Sequence, residues 1–224
     1  MTDDRAAALG AAVAAGEAGR DGITRRAYLD VADLPDLVFG SRDLMWWGTM
    51  GFVLIEGMTT ALCVVVYLYL WKNVDQWPPA GTEAPTLLAP TVQLASMLAS
   101  LPFMAWLSRA ARRFEFQRVR VGLLVATLWM SAIATLRGFE LQALHVRWST
   151  NAYGSAQWLV VGSHATLIAI ELVEIAGMAL IYSLGRAERK HYSDVADMTM
   201  YWTFLVLVWL PAYVLCFLGP RYFL

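Results

Sequence analysis

The chain has 224 residues, of which 58% are hydrophobic and 16% charged, with a formal net charge of −1 and a mean hydropathy of +0.51. A soluble domain is about half apolar and a quarter charged, and the excess here comes in long blocks, so a membrane protein is expected. The near-zero charge argues against a polyanionic partner, and Cys63 and Cys216 both lie in apolar blocks with no second Cys or His at metal spacing, so they read as small buried residues.

The N-terminal stretch is acidic, alanine-rich and polar. It lacks a basic start followed by an apolar core, so no cleavable signal peptide is expected. Residues 1–43 read as a cytoplasmic arm, partly mobile or bound to a partner, and residues 44–224 as a five-helix membrane domain. About 20 apolar residues cross a bilayer as a helix, and five segments qualify. They are about Trp46–Trp71, a shorter Thr91–Ser108 carrying Pro102, Val119–Leu136, a long Ser155–Leu184, and Met198–Leu218 with Pro211 towards its end. Between the first two, Gln76–Pro90 is rich in Pro and Gly and reads as a rigid irregular cap. Each proline inside a span predicts a local bend that neighbours can satisfy.

Arginine and lysine divide unevenly between the two sides of such a bundle. Arg5, Arg20, Arg25, Arg26, Arg42, Arg109, Arg112, Arg113, Arg118, Arg120, Arg186, Arg189 and Lys190 fall on one side, and Lys72, Arg147 and Arg221 on the other. Thirteen against three predicts a cytoplasmic N-terminus and an outside C-terminus. Trp46, Trp47, Trp71, Trp77, Trp148, Trp158, Tyr201 and Tyr222 lie near predicted span ends, where interfacial anchors belong. An odd span count with no internal repeat does not support an inverted-repeat transporter.

Ionisable residues inside spans are costly and face protein or water. Glu56 lies in the first span, Arg137 and Glu140 at the end of the third, and His164, Glu171 and Glu174 in the fourth. Arg137 and Glu140 are three apart and pair on one helix face, near the outer interface. The stripe His164, Leu167, Ile168, Glu171, Glu174 turns towards the bundle or a partner. Two readings of Glu56 stand side by side: a hydrogen-bonding contact to a neighbouring helix, which is the simpler, or a proton carrier. No Glu-x-x-His pair occurs, and the three histidines (His145, His164, His191) fall on different sides, so neither a metal centre nor a haem site is expected in this chain.

Five stretches resemble, in order, subunit III of the haem-copper oxidases, the cytochrome c oxidase subunit 3 family. "GFVLIEGMTTALCVVVYLYL" is similar to the family's first core helix, with Glu56 on its glutamate. "QWPPAGTEAPTLLAPTVQLASM" resembles its Trp-Pro-Pro-x-Gly loop, and "RGFELQAL" its Gln-x-x-Glu segment, with Glu140 on the glutamate. "YGSAQWLVVGSHATL" resembles a Tyr-Gly-Ser…Gly-Phe-His-x-x-His segment, with His164 on the first histidine, and "HYSDVADMTMYWTFLVLVWLPAYVL" the C-terminal helix. The sequence departs from the pattern at Leu167, Thr203 and Val206, where the family has His, His and Asp. Arg137 replaces a Gln, and Glu171 and Glu174 are additional carboxylates. The departures fit a divergent, five-helix branch.

The resemblance implies a multi-pass protein of the bacterial inner membrane, without an active site of its own. It would pack on catalytic subunit I and subunit II of an oxidase, hold phospholipid in a cleft and support proton uptake during oxygen reduction, with haem and copper in the partner subunits. Service in a nitric oxide reductase complex remains an alternative, as does an independent proton or ion transporter using Glu56, Glu171 and Glu174.

Overall fold

The computed structural model describes residues 38–222, so residues 1–37 of the expected arm lie outside the described residues. Five long helices follow: α1 (Leu44–Lys72), α2 (Leu88–Arg112), α3 (Phe116–Gln142), α4 (Ala152–Ser183) and α5 (His191–Tyr213), the last continued by a π-turn (Val214–Leu218) and a short α6 (Gly219–Tyr222). All five are long and apolar enough to cross a membrane, and the protein is a multi-pass, all-helical membrane bundle.

The helices start and stop for local reasons. The Asp43 side chain caps α1 by accepting from the Met45 amide at 3.0 Å, and Asn151 caps α4 by accepting from the Gly154 amide at 2.8 Å. Gly185, at φ 67°, takes the left-handed conformation that ends α4. In the loop before α2, the Thr82 amide bonds the Pro79 carbonyl at 3.0 Å. Gly81, at φ 82°, supplies the positive φ that a type II turn needs at its third residue.

α2 is longer than the expected Thr91–Ser108, because Pro90 sits in the first turn, where no amide donor is needed. α5 begins seven residues before the expected Met198, and so carries Asp194, Asp197 and Tyr201 into the bundle. Trp77 and Tyr201 are correspondingly not interfacial anchors: both are buried, whereas Trp47, Trp148 and Tyr222 are exposed as anchors should be.

The packing forms a ring in which α1 lies against α4, α4 against α3, α3 against α2, α2 against α5 and α5 against α1, with α4 also touching α5. α1 is the least buried span, and its outer face carries the exposed apolar residues Leu54, Ile55, Met58, Leu62 and Tyr69. Close approach of α2 and α3 depends on Gly122, where a Cβ would stand 2.7 Å from Leu107 Cδ1. Side-chain bonds pin the ring: Trp202 Nε1 donates to Ser100 Oγ at 2.8 Å, Thr91 and Tyr213 share a hydroxyl contact at 2.7 Å, and Trp129 Nε1 donates to Ser96 Oγ at 3.1 Å.

Candidate functional site

The polar residues inside the bundle fall into three groups. The first joins α3, α4 and α5. Arg137 and Glu140, one turn apart on α3, form the expected ion pair, and both are wholly enclosed, at 3% and 0% exposure. The structure adds His164. An Arg137 Nη–H donates to His164 Nδ1 at 2.8 Å, and His164 Nε2 lies 3.0 Å from the Leu205 carbonyl. A guanidinium only donates and a carbonyl only accepts. His164 is therefore the neutral tautomer with its hydrogen on Nε2. Trp209 backs the group: its ring stacks on His164 at 4.5 Å and lies 4.0 Å beneath the Arg137 guanidinium. The charge of Arg137 is thus met by a carboxylate, an imidazole lone pair and an indole face.

The second group lies at the C-terminal end of α1. Trp77, from the loop after α1, inserts between Tyr67 and Tyr153 with both rings edge-on, at 5.2 and 5.0 Å. Its Nε1 donates to the Tyr67 hydroxyl at 2.9 Å. Gln157 Nε2 donates to the Cys216 carbonyl at 2.8 Å and to the Tyr153 hydroxyl at 2.9 Å. Pro220, four residues on, has no amide hydrogen to give the Cys216 carbonyl, and Gln157 supplies one. The tryptophan of the Trp-Pro-Pro segment therefore closes the bundle end rather than capping it from outside.

The third group is acidic. Glu56 on α1 is half-buried and accepts a hydrogen bond from the Tyr201 hydroxyl on α5. Glu171 on α4 is fully buried, and neither of its carboxyl oxygens finds a hydrogen-bond partner among the described residues. Glu174, one turn further along, is exposed. Of the expected inward stripe, His164, Ile168 and Glu171 are buried, Leu167 is half-buried and Glu174 opens outwards. A cavity of about 600 Å³ lies between α1, α4 and α5, lined by the polar residues Glu56, Glu171, Glu174, Asp194, Asp197 and Tyr201 and by apolar residues that include Phe52, Ile170 and Val173.

The six expected residues thus separate into two sites. Arg137, Glu140 and His164 form one, and Glu56, Glu171 and Glu174 border the other. Tyr201, Asp194, Asp197 and the Tyr67–Trp77–Tyr153–Gln157 group were not foreseen. Gln157, an amide inside an apolar span, was the visible signal for the last of these.

His164 has both ring nitrogens engaged, His145 is exposed, and His191 Nδ1 accepts from the Glu188 amide at 2.7 Å. Fold and site together define a five-span membrane protein with hydrogen-bonded polar groups inside the bundle, in which Arg137 Nε and Glu140 Oε1 have no partner among the described residues.

No family model matches the chain. Among curated proteins it is similar to the cytochrome c oxidase subunit 3 of Thermostichus vulcanus, at 21% identity over 176 residues covering 78% of this chain and 87% of the relative. It is also similar to the cytochrome c oxidase subunit 3 of Synechocystis, at 25% identity over 193 residues covering 80% of this chain and 77% of the relative. Both similarities run over about four fifths of the chain and agree with the resemblance carried by the five sequence motifs.

Proposed function

We propose that the chain is a non-catalytic, subunit III-like accessory subunit of a respiratory haem-copper oxidase. It lies in the bacterial cytoplasmic membrane with its N-terminus inside and C-terminus outside. It stabilises the catalytic subunit, binds phospholipid and supports proton uptake, while haem and copper reside in subunits I and II. The observation that carries this reading is the similarity to two subunit 3 proteins over about four fifths of the chain. The interior agrees with it. The Arg137–Glu140–His164 group is bonded internally and serves as a rigid spacer between helices, with no ligand position left on the histidine. The apolar outer strip of α1 supplies the area that a membrane partner or lipid needs.

Purifying the tagged chain from its native membrane in mild detergent tests the proposal. A haem absorption spectrum and the masses of two partner subunits are expected in the eluate. A chain that elutes alone and moves protons or ions by itself in liposomes would instead be an independent transporter.

A further inference from the structure

The acidic cavity has a shape as well as a composition. Glu56 lies twelve residues from the start of α1 and Glu171 twelve from the end of α4. At 1.5 Å per residue both sit about 18 Å in, near the middle of a bilayer whose hydrocarbon core is about 30 Å. Asp194, Asp197 and Tyr201 are three, six and ten residues into α5, so they mark successive depths of about 4.5, 9 and 15 Å. Glu174 falls between Asp197 and Glu171 at about 14 Å. The cavity wall also includes Met45 and Ile181 near the helix ends, so it runs from the membrane face where α1 begins to half depth.

Among the described residues, no Lys, Arg or His lines this cavity. Glu171 is fully enclosed with both oxygens unpartnered, and Asp197 has an unpartnered oxygen too. A polar group buried without a hydrogen bond costs several kcal/mol against hydrocarbon; the Glu171 oxygens border the cavity but have no accessible surface, so a small side-chain shift brings them to a donor held there. Lipid headgroups do not supply it, because they stop at the interface. A single bound metal ion does not fit either: the carboxyls are strung along the cleft, and among the described residues no three metal-ligating side chains converge. Water fits. The 600 Å³ available far exceeds the ~10–15 Å³ that one water needs, and the polar partners are spaced along the whole length.

We propose that the cleft between α1, α4 and α5 is a water-filled inlet, open at the membrane face where α1 begins. It ends on Glu171 and the Glu56–Tyr201 pair, and its water brings exchangeable protons to these carboxyls at half depth. None of this depends on which complex the chain joins.

Hydroxyl-radical footprinting of the full chain in its native membrane tests it without any substitution. Radicals generated by X-rays from bound water oxidise adjacent methionines. Met178 and Met198 line the cleft, while Met97 and Met104 are dry core residues at 0% and 1% exposure and Met58 lies on the outer apolar face. Oxidation of Met178 and Met198 several-fold faster than that of Met97, Met104 and Met58 is the expected result. Glu171→Gln should preserve the labelling, since an amide still holds water, and Glu171→Leu should lower it at Met178 and Met198. Labelling of Met178 and Met198 at the core rate in the unaltered chain would overturn the proposal, showing the cleft to be filled by an acyl chain or a partner helix.

Discussion

Replacing Arg137 by Met isolates the energetics of the charged group in the bundle. Arg137 meets Glu140, His164 Nδ1 and the Trp209 ring, all in a site with almost no exposure. Removing it leaves Glu140 as a lone carboxyl with no donor, and breaking such a buried pair costs about 3–5 kcal/mol. An ordinary hydrogen bond between membrane helices is worth only about 0.6 kcal/mol, so the two origins are well separated. Replacing Glu140 by Leu alone strands the guanidinium and should cost a similar amount. The double variant Arg137→Met, Glu140→Leu removes both charges and should be less destabilised than either single variant, because apolar replacement of a buried pair is often neutral or better. The assay is the thermal unfolding midpoint of the detergent-purified protein for the four members of the cycle, under one detergent and lipid condition. Losses that add, with the double variant as unstable as the two singles combined, would refute the argument that stranded charge sets the cost.

Trp77→Ala empties the slot between Tyr67 and Tyr153 and should destabilise by about 3–5 kcal/mol. Trp77→Phe keeps most of the volume and loses the bond to the Tyr67 hydroxyl, so it should cost about 1–3 kcal/mol; both are read as shifts in thermal midpoint. Gln157→Leu leaves the Cys216 carbonyl without its donor, at about 1–3 kcal/mol, and accelerated amide exchange at the π-turn would report it. Glu56→Gln should leave assembly intact, because the amide oxygen still accepts from the Tyr201 hydroxyl; a sharp fall in turnover of an intact complex would instead assign Glu56 to proton conduction. Lys190→Ala breaks only the exposed pair with Glu188 and should leave the thermal midpoint within error.

The spans were legible because bilayer thickness imposes a length on apolar runs, and all five were found. Their ends were not, and α5 shows why: Asp194 and Asp197 read as loop residues by hydropathy, yet they enter the helix because they face the cleft rather than lipid. The same shift made Tyr201 look like an interfacial anchor when it is the partner of Glu56. Arg137 and Glu140 were legible as a pair because helix geometry fixes what lies three residues away. His164 as their third member was not, since that contact depends on how α3 and α4 rotate against each other. Trp77 could be recognised as part of a motif, but only its insertion between two tyrosines explains what the motif does.

The ring order of the helices has a consequence for synthesis. The neighbours of α1 are α4 and α5, so α1 leaves the ribosome before either of the helices it docks on. Glu56 and Tyr201 are separated by 145 residues, roughly 7–30 s of translation at 5–20 residues per second. For that interval the nascent span must carry its carboxyl beside the insertion machinery or a chaperone, and premature release into lipid is the step at which biogenesis of this chain is most exposed to failure.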